Sequence, residues 1–244
     1  MDLNTMATFG RRRRLETTLN DALAVVIAFC WSLQDLTKPY GPKNSYKWAY
    51  HVYDVVLRDV PDQLMASTLA ANGLNAGITA KTMLLIEAKV RAGLLPELVG
   101  TFWEMDTFKL NNDPRDKSPE GLMWTWYREM TGIKGVRGAV SAKIGHHAFP
   151  DAMCLWDSVV DEFWSPDDMW GQFAQNLKDE EVWLEELERL FEFYRFNFQA
   201  ADGVALNRSR LVDILVWGEG VGDLTDLLRD GITLLSTTPD PSTW

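Results

Sequence analysis

Apolar residues recur every three or four positions along most of this 244-residue chain, which is the spacing of one face of an α-helix. The clearest run extends from Leu15 to Leu33, and it is apolar on nearly every face of the helix it predicts. No stretch alternates apolar and polar residues for long enough to predict a β-sheet. The sequence therefore predicts an all-α fold of about ten helices, with the first of them in the core.

The two ends of the chain frame the predicted domain. Residues 1–10 are expected to be a disordered leader, and the proline-rich residues 237–244 a loose tail. Residues 11–236 are long enough for one helical domain, or for two helical lobes with the segment 130–160 between them. The four arginines at 11–14 have two interpretations, a patch that contacts phosphate or the solvated start of the first helix.

Hydropathy and cysteine usage indicate the cellular compartment in which the protein is expected. The chain has no run of about eighteen apolar residues, the length that a membrane-spanning helix needs. Its first residues lack the apolar core of a secretory leader. Cys30 and Cys154 each lie among apolar residues, which is typical of buried thiols and not of a disulfide or metal site. We therefore expect a cytoplasmic protein with no membrane partner, no metal and no other cofactor.

The formal charge of −11 is unevenly distributed. Residues 1–147 carry 18 Lys and Arg against 15 Asp and Glu, whereas residues 148–201 carry 3 against 13. The first part of the chain could therefore face an anion such as nucleic acid while the acidic part faces away.

The segment 130–160 holds the residues with the clearest chemical potential. Gly135 and Gly138 predict a turn, and the residues after Gly138 predict a helix. The first backbone N–H groups of that helix have no partner within it, so they can hold an anion such as a DNA phosphate. Lys143 on this helix and Asp157 beyond it would supply a nucleophile and a charge stabiliser if the fold brings them together.

Two stretches of this segment carry a family pattern. They are Ile133-Lys134-Gly135-Val136-Arg137-Gly138 with Ser141-Ala142, and Pro150-Asp151-Ala152 with Leu155-Trp156-Asp157-Ser158-Val159-Val160. The first resembles the hairpin of the helix-hairpin-helix DNA glycosylase superfamily, with a lysine in place of the usual proline. The second is similar to the family segment in which the catalytic aspartate is followed by two residues and a valine. The run Arg210-Leu211-Val212-Asp213 and Trp217 also resemble a tail segment of small relatives with that fold.

The resemblance implies a single all-α glycosylase-like domain over residues 11–236. It implies a DNA glycosylase that flips out and removes a damaged or modified base from duplex DNA, with or without lyase activity. By the same likeness Asp157 is the catalytic carboxylate, and Lys143 lies one helical turn beyond the position of the lysine nucleophile in bifunctional members. The hairpin residues that would contact the DNA backbone are Lys134, Gly135, Arg137 and Gly138.

Aromatic and imidazole side chains around the segment are candidates for the wall of a base pocket. They are Trp124, Trp126, Tyr127, His146, His147, Phe149 and Trp156. Each aromatic residue has an equally simple interpretation as core packing. The two histidines are adjacent, so on a helix they point about 100° apart and cannot share one metal ion.

Three functional hypotheses remain open. The first is the base-excision enzyme, in which Asp157 stabilises the positive charge that develops on the sugar and Lys143 acts as a nucleophile. The second is a catalytically silent all-α module that binds nucleic acid or protein, in which Asp157 only caps a helix and Lys143 is an exposed lysine. The third is a protein-binding protein that uses the acidic helix near residues 179–199 as its surface.

Overall fold

A computed structural model describes most of the chain, namely residues 2–34, 63–74, 76–93, 113–118, 120–149, 153–198 and 206–237. Within these ranges the protein is mostly helical, as the sequence predicts. The described elements are two short strands, nine α-helices and one 3₁₀ helix. They are β1 (Met6–Phe9), β2 (Leu15–Thr18), α1 (Leu19–Gln34), α2 (Gln63–Gly73), α3 (Ala80–Arg91), α4 (Leu122–Thr131), α5 (Gly138–Ala148), the 3₁₀ helix (Val160–Glu162), α6 (Met169–Asp179), α7 (Glu181–Phe198), α8 (Arg208–Val221) and α9 (Leu224–Ser236).

Helix α1 is the centre of the core. Its side chains from Ala22 to Cys30 are all buried, so the apolar run predicted from the sequence is enclosed on every side. Helices α7, α8 and α9 and strand β2 pack around it. The predicted start of this helix at Leu15 is wrong, because Leu15 lies in β2 and the helix begins at Leu19.

Strands β1 and β2 form an antiparallel hairpin that the sequence did not predict. Met6 pairs with Thr18 and Phe9 pairs with Leu15, so residues 6–9 are a strand and not part of a disordered leader. Each strand has only four residues. An alternation this short cannot be told from the start of a helical pattern, which is why the prediction failed here.

The arginine run forms the turn of this hairpin, so the interpretation as the start of a helix is wrong. The backbone amide of Arg11 donates to the carbonyl oxygen of Phe163 at 2.7 Å. The guanidinium of Arg13 pairs with Glu162 at 2.7 Å and with Glu219 at 2.6 Å. These contacts attach the hairpin to the 3₁₀ helix and to the last turns of α8.

The sequence predicts helix starts at Thr79 and at either Asn207 or Ser209, and the structure has them at Thr79 and Asn207. Thr79 and Asn207 accept hydrogen bonds from the backbone amide three residues later, at 3.2 and 3.0 Å, and start α3 and α8. Gly218 predicts the end of the helix that begins after Asn207, and this prediction is wrong because α8 continues to Val221. Gly222 ends α8 in the left-handed conformation, with φ of +81°, as glycine commonly does at this position.

Parts of the predicted organisation lie outside the described residues. They include two stretches whose sequence predicts helices, 46–60 and 96–108. The others are the Pro150-Asp151-Ala152 stretch and the tail beyond Thr237.

Both cysteines, Cys30 and Cys154, are buried thiols as predicted. Among the helices that the structure describes, none is long and apolar enough to cross a membrane.

The crossing of α1 and α9 at Gly231 allows a direct test of the core. A Cβ atom on residue 231 would lie 1.9 Å from the carbonyl oxygen of Ala24, a backbone atom that cannot move without α1. We expect Gly231→Ala to lower the free energy of unfolding by about 1–3 kcal/mol, because α9 must shift to relieve the overlap. Denaturant titration followed by circular dichroism measures this change.

The matched control is Gly218→Ala in α8. The added Cβ atom there would meet side-chain atoms of Leu224 and Leu227 at 3.5 Å, which is an ordinary contact. This variant should keep its stability or gain up to about 1 kcal/mol, since alanine is the better helix former. Equal stability of the two variants would contradict the close approach of α9 to α1.

Candidate nucleic-acid interface and buried polar site

Helices α4 and α5 pack together and are joined by the hairpin 132–137, as the glycines predict. Ile133 and Val136 are buried and pin the hairpin to the core, with the Val136 amide donating to Ile133 O at 3.0 Å. Gly135 has φ of +97°, a conformation that favours glycine, and this turns the chain outward between them. The hairpin therefore projects its polar residues into solvent while its apolar residues hold it in place.

The predicted DNA-contacting residues lie together at this projection. Lys134, Gly135 and Arg137 are exposed, and Gly138 is half-buried at the first turn of α5. Arg137 is the N-cap of α5, and its side chain makes no capping hydrogen bond. The first hydrogen bond of the helix joins Ser141 N to Arg137 O, so the amides of residues 138–140 have no partner in the helix ladder. Two cationic side chains and a set of helix-start amides thus share one exposed surface.

Three of the predicted pocket aromatics form a half-buried cluster beside this surface. Tyr127 and Trp156 stack with their ring centroids 5.4 Å apart and their planes 23° from parallel. Trp124 meets Tyr127 edge-on at 5.8 Å. The buried Trp170 contacts all three rings edge-on. The cluster starts at the hairpin, since a Cβ atom on Gly138 would lie 2.7 Å from the Tyr127 hydroxyl.

The other four pocket candidates lie in the core and not on a pocket wall. Trp126, His146, His147 and Phe149 are at most 1 % exposed. Trp126 and Phe149 pack edge-on with centroids 5.3 Å apart, and the Trp126 indole donates to Ser141 O at 3.3 Å. For Trp126 and Phe149 this is the packing interpretation that the sequence left open.

Asp157 is buried, with 7 % of its surface exposed. Its Oδ1 atom accepts hydrogen bonds from the amides of Val159 at 2.9 Å and Val160 at 3.2 Å. The carboxyl group therefore caps the turn that leads into the 3₁₀ helix, as one of the two interpretations predicted. The cap fixes the orientation of the carboxyl group, and Trp156 of the aromatic cluster precedes it directly in the chain.

Lys143 is also buried, at 7 % exposure, so its interpretation as an exposed lysine is wrong. Its amino group donates to the carbonyl oxygen of Leu74 at 2.7 Å. Leu74 follows α2 directly, so this hydrogen bond ties α5 to the end of α2. The roles of Lys143 as nucleophile and of Asp157 as charge stabiliser remain predictions.

A second set of charged residues was not predicted as part of the site. Arg210 and Asp213 lie three residues apart on α8, and each is 1 % exposed. Asp213 Oδ2 lies 3.2 Å from His146 Nδ1 and accepts from the Leu155 amide at 3.2 Å. The sequence did contain a signal, because Asp213 interrupts the apolar run Leu211–Trp217 and Arg210 lies three residues before it, a spacing that places both on one face of the helix.

Burial governs the ionisation of this set. Burial, followed by the charge of Arg210, lowers the pKa of His146 to about 3. The pKa of His147 is also well below its ordinary value, mainly because of burial and then because of His146 and Arg210. Burial raises the pKa of Asp213 well above the ordinary value, and the nearby charge of Asp157 acts in the same direction. Both histidines are therefore neutral at pH 7.

Among the residues that the structure describes, no three His, Cys, Asp or Glu side chains are arranged to hold a metal ion.

No protein-family model matches the chain, and no curated protein or solved structure is significantly similar to it.

The buried histidines predict a dependence of stability on pH. Below about pH 6.5 the unfolded chain binds protons at both imidazoles while the folded protein does not, so the free energy of unfolding falls as the pH falls. The raised pKa of Asp213 acts in the opposite sense, since the folded carboxyl group keeps its proton to a higher pH than the unfolded one. A comparison of variants separates the two effects.

We expect wild type to lose about 1.4 kcal/mol more per pH unit than His147→Gln between about pH 6 and pH 4.5, because the variant lacks one of these proton-binding groups. Urea titrations at several pH values measure the difference. Parallel curves for the two proteins would mean that His147 is not held neutral in the fold.

Proposed function

We propose that this protein is a DNA glycosylase-like base-excision enzyme that grips duplex DNA with the hairpin 132–137 and acts on a damaged or modified base. One observation carries the proposal. The exposed cationic hairpin leads through Gly138 and Tyr127 to Trp156, which directly precedes the buried carboxyl group of Asp157. A backbone grip, an aromatic surface and an acidic group are the three parts that base excision requires.

The grip is electrostatic. Lys134 and Arg137 are exposed on the hairpin, and the first turn of α3 adds the exposed Lys81. This turn lies close, since a Cβ atom on Gly135 would be 2.7 Å from Thr82 Oγ1. Cations and helix-start amides together favour a phosphate group, and they do so without reading the base sequence. The local charge thus overcomes the overall charge of −11 at this surface.

The excision step needs an extruded nucleotide and a negative charge near the sugar. Extrusion costs a few kcal/mol, which stacking of the base on an aromatic side chain can offset. The half-buried Trp124, Tyr127 and Trp156 offer such rings. Cleavage of the glycosidic bond builds positive charge on the sugar, and an ionised Asp157 in a site of low dielectric would stabilise it.

A catalytically silent DNA-binding module is the second candidate, and two contacts favour it. The amino group of Lys143 already donates to Leu74 O, and Asp157 already caps the turn at Val159 and Val160. Both side chains then have structural roles that explain their burial without any chemistry. The hairpin would bind DNA in either case, so the two candidates differ only in base release.

The hairpin makes a testable contribution to DNA binding. We expect Lys134→Ala/Arg137→Ala to weaken binding to all duplexes alike and to reduce the slope of log K against log salt by about 2, because two phosphate contacts are lost. Fluorescence anisotropy of a labelled duplex at a series of salt concentrations measures both quantities.

Lys178→Ala/Arg229→Ala is the matched control, since it removes the same charge from exposed positions on α6 and α9. It should leave the salt slope at the wild-type value. If the hairpin variant and the control behave alike, the hairpin does not hold the DNA backbone.

Base release tests the chemistry. Wild-type protein is incubated with duplexes that carry oxidised, alkylated or deaminated bases, and alkali then reveals abasic sites. We expect Asp157→Asn to lower the rate of release by about 100-fold or more, because it removes the charge near the sugar. Asparagine caps helices as well as aspartate does, so this variant should keep the wild-type free energy of unfolding.

Asp157→Ala removes both the charge and the cap, and it should lose about 1 kcal/mol of stability in addition to activity.

Borohydride trapping then decides the role of Lys143. A trapped complex that Lys143→Gln abolishes would make the Lys143 amine the nucleophile. Absence of base release from every duplex, with DNA binding intact, would favour the silent module.

A further inference from the structure

The chain just before Asp157 is held by two buried side chains from different helices. His146 Nδ1, on α5, lies 2.9 Å from the carbonyl oxygen of Met153. Asp213 Oδ2, on α8, accepts from the amide of Leu155 at 3.2 Å. The two side chains also contact each other, with 3.2 Å between His146 Nδ1 and Asp213 Oδ2. One backbone carbonyl and one backbone amide of the segment 153–155 are thus held by a single pair.

The hydrogen-bond pattern of this pair determines its chemistry. Nδ1 of His146 faces two acceptors, Met153 O and Asp213 Oδ2, so Nδ1 carries the hydrogen atom. Asp213 Oδ2 accepts a hydrogen bond from the Leu155 amide and lies 3.2 Å from His146 Nδ1. Burial and then the charge of Arg210 lower the pKa of His146 to about 3, so the imidazole is neutral and the hydrogen atom on Nδ1 is its only N–H hydrogen.

Stability alone does not explain the pair. Burying a carboxyl group costs free energy unless it is well satisfied, and an apolar pair of similar volume is often as stable or more stable. Among the described residues Asp213 Oδ1 has no hydrogen-bond partner, so part of this cost is not offset there. A polar pair kept at such a cost is best explained by the precise placement of the backbone that it holds.

We propose that Asp213 and His146 are positioning residues that act through Asp157, which rests on the proposed function in that Asp157 is the group that acts on the sugar. The pair holds the chain on the N-terminal side of Asp157. The amides of Val159 and Val160 hold its Oδ1 atom from the C-terminal side. Asp157 therefore sits between two anchors, and its carboxyl group keeps one orientation only while both are intact.

The first test needs no substrate. Amide hydrogen exchange is measured for Leu155, which is bonded to Asp213, and for Val159 and Val160, which are bonded to Asp157. We expect Asp213→Ala to speed exchange at all three amides by about tenfold or more, because the loosened segment lets the Asp157 carboxyl move away from its amides. The amide of Leu19, which donates to Thr5 O in another part of the fold, should keep its wild-type rate.

Conservative variants separate placement from general loosening. Asp213→Asn keeps an oxygen that can accept from Leu155, and His146→Asn keeps an N–H group near the position of Nδ1. Both should retain the slow exchange of Val159 and Val160, whereas His146→Leu should lose it. Asp213→Leu replaces Asp213→Ala if the alanine variant does not fold. Unchanged exchange at Val159 and Val160 in folded Asp213→Ala or Asp213→Leu would overturn the proposal.

The second test uses base release. Misplacing a reacting group by about 1 Å can cost about 100-fold in rate, so Asp213→Ala should lower kcat by that order while leaving KM for the duplex nearly unchanged. In the Asp157→Asn background the same substitution should have almost no further effect, because Asp213 acts only through the Asp157 carboxyl group. Independent losses that multiply would overturn the proposal.

The two tests also separate this inference from the proposed function. If wild type releases no base from any duplex, the proposed function fails, and the exchange rates still decide whether Asp213 and His146 position Asp157. If wild type is active and Asp213→Ala retains full activity with wild-type exchange, the positioning role fails and the proposed function stands.

Discussion

Helix α1 has no face between Ala22 and Cys30 that can remain in water, so the other elements of the fold must cover it. Each large apolar side chain buried there contributes about 1.5–3 kcal/mol, so the helix is stable only when neighbours cover it on every side. Helices α7, α8 and α9 and strand β2 provide that cover. The approach of α9 is so close that only a glycine fits at position 231, opposite Ala24.

This packing also places the candidate site. Helix α8 is positioned by its contact with α1, and it carries Asp213 to His146 and to the segment before Asp157. Helix α5 is positioned by α2 and α4, and it carries both His146 and the exposed hairpin at its start. The buried polar residues therefore join two groups of helices whose apolar surfaces stabilise the structure. Their own burial costs free energy, which the enclosed core of α1 can offset.

The contrast between the hairpin and the buried set separates two kinds of chemistry. Lys134 and Arg137 keep their charges in water, where they can meet a phosphate group at little cost. Asp157 and Lys143 are almost removed from water, and every charge there interacts more strongly with its neighbours. The stacked rings of Tyr127 and Trp156 lie between these two environments. The proposed function would need both environments. Exposed cations would bind the DNA backbone, and a buried carboxyl group would act on one sugar.

Local patterns predicted the parts of the site that lie close together in the chain. The hairpin followed from its glycines and the start of α5 from Gly138, whereas for Asp157 the cap was one of two interpretations that the sequence left open. The spacing of the aromatic residues did not predict which of them are buried. Trp124 and Trp126 lie two residues apart on α4, yet they differ in burial. Trp126 is buried against Phe149, while Trp124 belongs to the half-buried cluster with Tyr127 and Trp156. Only the neighbouring helices distinguish these two positions.

The sequence by itself determined the helical class, the buried course of α1, the cap at Thr79 and the exposed hairpin, because each depends on spacing or on hydrogen bonds within a few residues. Only the tertiary structure decided that residues 6–9 pair with residues 15–18, that Lys143 reaches Leu74, and that Asp213 meets His146. The last two contacts join residues 69 and 67 positions apart, which no local pattern encodes. Such contacts exist because apolar packing, of α5 against α2 and of α8 against α1, brings distant helices together, and the polar residues on those helices then meet.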